Sequence, residues 1–426
     1  MRFFTRATAA GLFVFAQALT LTAQQPAQAP AQATQVDDLS SIRQQAAAGD
    51  ASAQFALGNR YFRGVGVLQD YGQAVIWYRK SAAQGFAPAQ NQLGSMYQHK
   101  FGVEWDYKRA AAYYRSAANQ GYAPAQYNLA GLFKAGLSVK HDQKQAFAWY
   151  RKAADQNLAD AEEEVGYFYQ WGQGVKRDYA QALDWYRRAA AQGDSDAENQ
   201  LGFMAEQGQG QPQSYAEALS WYYKAAQHGS DTAQENIGYM FQYGTGVPKD
   251  YAKARAWYYP AAFQGNSDAE NQLGWMYQFG QGVQQNDAEA IAWYTLSAQQ
   301  GNGHGQNNLQ ALNEDLQDRN ENGDSSIVRN DSALATAEHW AEIRDLRARI
   351  TGLEADALNQ DDLANQLEHT GNGKHDAITK MFNAMGSVGA VKFHLEAAKY
   401  RAEANHLREQ LASLESQTQS LPTPTL

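Results

Sequence analysis

The chain reads as an all-α protein: an α-solenoid of seven 36-residue helix-turn-helix repeats, followed by a C-terminal helical hairpin or coiled coil. Three observations carry this. An alanine returns every 36 residues, at Ala53, Ala89, Ala125, Ala161, Ala197, Ala233 and Ala269. Four residues after each stands an aliphatic residue: Leu57, Leu93, Leu129, Val165, Leu201, Ile237 and Leu273. Later in each unit a Trp, or once Tyr113, precedes a tyrosine, from Trp77 and Tyr78 through Trp293 and Tyr294. A fixed period without insertions marks stacked units that bury their apolar faces on one another.

Within the first unit, Ala53, Leu57 and Tyr61 lie four residues apart on one face of a first helix, helix A, over about Ala51 to Phe62. Gly64 and Gly66 supply the positive φ angles of a tight reversal. Asp70 reads as the N-cap of helix B. Helix B carries Ala74, Trp77, Tyr78, Ser81 and Ala82, and Gly85 closes it. Pro88 suits the first turn of the next helix. A glycine recurs inside helix A at Gly58, Gly94, Gly166, Gly202, Gly238 and Gly274, with Ala130 in unit three. Glycine there costs about 1 kcal/mol relative to alanine, so close approach of helix B is expected, with its Trp lying over the gap. An eighth first helix, about Gly305 to Leu316, keeps Leu309 and Leu312 and reads as a degenerate cap.

The recurrent Leu-Gly, Gly-x-Gly-Val, Asp-Tyr and Gln-Gly pieces, with Trp77-Tyr78-Arg79-Lys80-Ser81-Ala82-Ala83-Gln84-Gly85 nearly complete, resemble the Sel1-like repeat family, relatives of tetratricopeptide repeats. The resemblance implies a right-handed solenoid that serves as a scaffold for protein–protein contact, often in bacterial envelopes. It implies no substrate. Departures are local. Lys100, Ser138 and Asn157 stand at glycine positions, Pro212 and Ser214 alter the turn of unit five, and Pro260 should kink or shorten helix B of unit six.

The candidate partner-binding face is helix A, on the concave side that the resemblance implies. The residue after Leu-Gly and the one four further on share a helix face. In units four to seven these positions hold Tyr167, Trp171, Phe203, Tyr239, Tyr243, Trp275 and Phe279; units one to three hold mostly small or polar residues there. One turn earlier lie Glu163, Asn199, Glu235 and Asn271. An aromatic groove edged with amides and carboxylates suits an extended or helical peptide with basic character. The alternative is that these aromatics pack against the neighbouring helix A as core. A core requirement should apply to all seven units.

Net charge of -10 argues against nucleic acid as partner and against a polybasic membrane mode. The absence of cysteine excludes disulfides and thiolate chemistry. Arg2 and Arg6 precede a short apolar stretch, Ala7 to Leu21, shorter than the roughly 20 residues of a membrane span. Residues 1–23 therefore read as a signal peptide ending at Ala23, with an uncleaved anchor as the alternative. Residues 24–48 read as a flexible Ala/Gln/Pro linker, 49–316 as the solenoid and 317–332 as a polar linker. The implied location is the bacterial periplasm or the exterior, with no integral span after cleavage.

No catalytic constellation is present: G-x-S-x-G, H-E-x-x-H and Walker A patterns are all missing, and Gly373-Lys374 runs into His375. His369 and His375 lack a third ligand. Asp318, Asn320, Asn322, Gly323 and Asp324 copy the start of a calcium loop, but Arg329 stands where the bidentate Glu belongs; a polar linker is the simpler reading. No enzyme activity, metal or cofactor is expected. Residues 333–417 read as helical, with Ile343, Leu346, Ile350 and Leu353 on one seam and Phe393, Ala397, Tyr400, Ala404, Leu407, Leu411 and Leu414 on another. They form an intramolecular hairpin or a homodimeric coiled coil, before a tail at 418–426. The leading expectation is an exported scaffold holding a peptide or envelope protein; the alternative is an envelope accessory or enzyme acting on cell wall or polysaccharide, where aromatic rings would stack on sugars.

Overall fold

In a computed structural model, residues 39–137, 139–321, 336–350, 352–353, 399 and 401–414 are described, and all their regular structure is helical. A short helix α1 (Leu39–Ala47) leads seven A/B pairs: α2 (Ala51–Arg63) and α3 (Tyr71–Ala83), α4 (Ala87–His99) and α5 (Tyr107–Asn119), α6 (Ala123–Ala135) and α7 (Gln143–Ala154), α8 (Ala159–Trp171) and α9 (Tyr179–Ala190), α10 (Ser195–Gln207) and α11 (Tyr215–Gln227), α12 (Asp231–Tyr243) and α13 (Tyr251–Phe263), α14 (Ser267–Gln278) and α15 (Asp287–Gln299). Helix α16 (Gly303–Glu321) follows, and the C-terminal region adds α17 (336–350) and α18 (401–414). Each helix from α1 to α16 packs chiefly on its sequence neighbours, as a solenoid requires.

The local chemistry repeats with the sequence. The Asp70 carboxylate accepts from Gln73 N–H at 2.9 Å, and the Asp70 N–H closes the A–B turn by donating to the Tyr61 carbonyl at 2.9 Å. Gly64 sits at φ +73°, in the left-handed region. Lys100 takes the same conformation at φ +63° without glycine's freedom, so unit two forms the turn at some conformational cost. Gln84 at the end of helix B donates to Gln54 near the start of helix A at 2.9 Å, and the bond recurs 36 residues on as Gln120 to Gln90.

The helix A glycine is explained by tyrosine, and the expected tryptophan is elsewhere. A Cβ placed on Gly58, Gly94, Gly166, Gly202, Gly238 or Gly274 would lie 2.6–2.7 Å from ring carbons of Tyr78, Tyr114, Tyr186, Tyr222, Tyr258 or Tyr294. Those rings are fully buried. The hydroxyls of Tyr114, Tyr186, Tyr258 and Tyr294 donate to glutamines at the far end of helix A, Gln98, Gln170, Gln242 and Gln278. In unit three Ala130 takes the glycine position, and Lys134 stands where that glutamine would be; it pairs with Glu164 at 2.7 Å. The Trp one residue earlier is turned away from that glycine, because successive residues on a helix diverge by about 100°; Trp185, Trp257 and Trp293 are buried in core clusters instead.

Two boundaries move, and one expected shortening does not occur. Leu39–Ala47, placed in the linker by its composition, is helix α1, with Ile42 and Ala46 buried against Ala53 and Leu57. It covers the first unit as a preceding helix B would. Helix α16 runs on to Glu321, into the stretch read as polar linker, and buries Leu312 and Leu316. Pro260 lies inside α13, which keeps the 13-residue length of its neighbours. In the last turn proline removes one backbone bond without ending the helix. The signal peptide, the rest of the N-terminal linker, Ser138, His369, His375, Phe393, Ala397, Tyr400 and the tail lie outside the described residues.

Candidate functional site

The seven aromatics form three groups of ring contacts on the helix A side. Tyr167 and Trp171 are 6.3 Å apart, and Trp171 reaches across to Phe203 of the next unit at 6.4 Å. Tyr239 and Tyr243 pair at 4.4 Å, Trp275 and Phe279 at 5.1 Å. The outer member of three pairs is open to solvent: Trp171 is 49% exposed, Tyr243 45% and Phe279 55%. The inner members Tyr167, Phe203, Tyr239 and Trp275 are half-buried. Large apolar side chains this exposed at one repeat position are unusual for core residues.

The neighbouring polar residues do two jobs. Asn199 and Asn271 are buried and tie units together: their Oδ1 atoms accept from Asn236 and Asn308 Nδ2 at 2.9 and 2.8 Å, as Asn91 accepts from Asn128. Glu163 is buried and Glu235 half-buried. The charge of this face changes along the chain. Helices α8, α10, α12 and α14 hold four, three, two and two acidic residues and no Lys, Arg or His. Helices α2, α4 and α6 hold no acid, and carry Arg60, Arg63, His99 and Lys134. The acids crowd at the helix A starts: burial raises the Asp194 carboxyl to about 6, with Asp196 and Asp160 adding to it. Exposed aromatic side chains and acidic A helices thus coincide in units four to seven, although Glu162, Glu164, Glu198 and Glu270 are paired with Arg188, Lys134, His228 and Arg344. The charge split was countable in the sequence; it becomes a surface property once these helices are seen to share a face.

A second feature lies on the helix B side. In units one, three, four and five a cation lies over the helix B Trp: Lys80 on Trp77, Lys152 on Trp149, Arg188 on Trp185 and Lys224 on Trp221, at 3.8–4.1 Å. Units six and seven have Pro260 and Leu296 there. Their face is covered by α17. Trp340 is buried among Trp293, Phe263 and Tyr259 at 4.8, 5.7 and 5.9 Å, and its Nε1–H donates to Glu289 at 3.0 Å. Arg347 lies over Phe263 at 4.1 Å. Arg344 donates to the fully buried Glu270 at 2.8 Å. On the other side of α17, Leu346 and Ile350 meet Leu407 of α18, the seam expected of a hairpin. The sequence reading took Ile343 with that seam; its side chain is buried in the solenoid cluster with Trp340.

Of the calcium-loop pattern, Asp318 and Asn320 lie within α16, whereas Asn322, Gly323, Asp324 and Arg329 lie outside the described residues. Among the described residues no helix is long and apolar enough to cross a membrane.

These features define a helical-repeat scaffold of stacked A/B pairs. The Sel1 repeat family matches residues 51–86, 87–122, 123–158, 159–194, 195–230, 232–266 and 267–302, and the chain belongs to that family. Sel1-repeat proteins act as protein-interaction scaffolds, a fold that is typically non-catalytic. The solved structure of c5321, a protective antigen of uropathogenic Escherichia coli strains, is similar over 91% of this chain and 98% of its own, at 27% identity and a TM-score of 0.55. A Sel1 repeat protein from Oxalobacter formigenes is similar over 57% of this chain and 96% of its own, at 33% identity and a TM-score of 0.54. Among curated proteins no sequence matches this one.

Proposed function

We propose that the chain is an exported scaffold whose helix A face in units four to seven holds a partner peptide of basic, apolar character. The observation that carries this is the coincidence of exposed Trp171, Tyr243 and Phe279 with four consecutive A helices that hold acids and no bases. Aromatic anchors supply contact area, and complementary charge supplies steering and selectivity. Export rests on Arg2, Arg6 and the apolar stretch after them, and predicts a mature N-terminus at Gln24 on sequencing.

The groove is tested with fluorescent amphipathic peptides that differ only in Lys or Glu at their polar positions. The Lys peptide is expected to bind, more weakly at high salt. Tyr243→Ala with Phe279→Ala should weaken it about tenfold or more with little change in melting temperature. Equal binding of the Glu peptide, or early melting of the double variant, defeats the reading. Salt-independent capture of a cell-wall glycan would favour the polysaccharide alternative.

A further inference from the structure

Helix α17 touches three repeat helices: α13 through Tyr259 and Phe263, α15 through Glu289 and Trp293, and α14 through Glu270. Helix α14 also carries Trp275, and Phe279 is its C-cap. In the first turn of α14, Arg344 holds Glu270 at 2.8 Å. In its last turn, the Tyr277 hydroxyl lies 2.7 Å from the Tyr259 hydroxyl, and the Tyr259 ring packs on Trp340. We propose that Arg344 and Trp340 are positioning residues for the seventh-unit end of the groove: α17 holds the first turn of α14 directly through Glu270 and its last turn by way of Tyr259 of α13, and so fixes how Trp275 and Phe279 are presented. The link to a ligand rests on the groove reading; the brace itself is a property of the free chain.

Comparison between units shows why the brace is specific. The position of Glu270 is Gln54, Gln90, Gln126 and Gln234 in four other units, where an amide needs no counter-charge. Glu162 and Glu198 also occupy it, but each finds its partner within its own unit, Arg188 at 2.6 Å and His228 at 2.7 Å. In unit seven Leu296 replaces the residue equivalent to Arg188, and the cation comes from α17 instead. Gln300 Nε2–H donates to the other carboxylate oxygen at 2.6 Å. A buried carboxylate whose only ion-pair cation among the described residues lies on a separate segment fixes the register of that segment, because any slip leaves the charge buried and uncompensated.

The test is amide hydrogen exchange on the full chain, comparing α14 with α8 as an internal control. Arg344→Ala and Trp340→Ala should each speed exchange in α14 by about tenfold or more while leaving α8 unchanged. Adding Glu270→Gln to Arg344→Ala should return α14 to within about threefold of the parent, since the glutamine can pair with Gln300 as Gln54 does with Gln84. Unchanged α14 exchange, or equal acceleration of α8, overturns the proposal; a failed rescue overturns the part assigned to Arg344. Binding of the Lys peptide is read on the same variants. If the parent chain captures no such peptide, the groove reading falls while the exchange result stands.

Discussion

Trp149 and Trp293 occupy the same position of the same repeat, yet one is half-buried under Lys152 and the other is 1% exposed under Trp340. One difference lies three residues on. A lysine at 152 arches over its own indole and keeps the helix B face solvated; a leucine at 296, with Pro260 one unit before, leaves that face apolar and in need of a cover. One repeat scaffold thus has an open, charged outer side at one end and a receptor for a helix at the other. The hydrophobic clusters follow this: units one to five hold separate small clusters, whereas one larger cluster runs from unit five through unit seven into α17.

Alanine substitution of the two tryptophans gives the largest expected contrast. Trp293→Ala should cost about 3–5 kcal/mol, the range for emptying a buried aromatic site, and should detach α17. Trp149→Ala should cost about 1–2 kcal/mol, because solvent already reaches that ring. Urea titration followed by circular dichroism checks both; equal losses would erase the distinction. Next come the helix A glycines. Gly202→Ala drives a Cβ to 2.6 Å from the Tyr222 ring and should lower stability by about 1–3 kcal/mol despite alanine's better helix propensity. Ala130→Gly, which restores the consensus where Tyr150 already tolerates a methyl group, should cost about 1 kcal/mol. A stabilising Gly202→Ala would show that the tyrosines yield easily.

A further effect depends on pH and separates the acidic half from the rest. Asp194 caps α10 through Ala197 N–H at 2.7 Å, but burial raises its carboxyl from 3.8 to about 6, with Asp196 and Asp160 nearby. An acid whose folded pKa lies above its unfolded value contributes most favourably below the unfolded value, and that contribution is lost as pH rises through the folded one. Asp194→Asn keeps a capping oxygen, as Asn266 does for α14 at 2.8 Å. It should therefore raise stability by about 1–2 kcal/mol near pH 8 and by almost nothing near pH 4. A gain independent of pH would assign the effect to the cap instead.

The sequence by itself determined the repeat. Caps, turn glycines, the alanine and leucine stripe and the tyrosine all act within one unit or between neighbours, so a 36-residue period exposes them. It also located the aromatic stripe of units four to seven, since residues four apart on a helix share a face whatever surrounds it. Which of two adjacent aromatics, Trp or Tyr, covers the helix A glycine was not legible, because both lie on one helix and only packing selects between them. The roles of Leu39–Ala47 and α17 were likewise hidden. Leu39–Ala47 is polar in composition and is ordered by what it covers. Trp340, Arg344 and Arg347 lie outside the period, and their meaning comes from residues 51 to 84 positions earlier, Glu289, Glu270 and Phe263. The sequence carries Pro260 and Leu296 where other units place a cation over the Trp; only the tertiary structure showed what covers that face, because burying an apolar face requires a partner and the repeat does not name one.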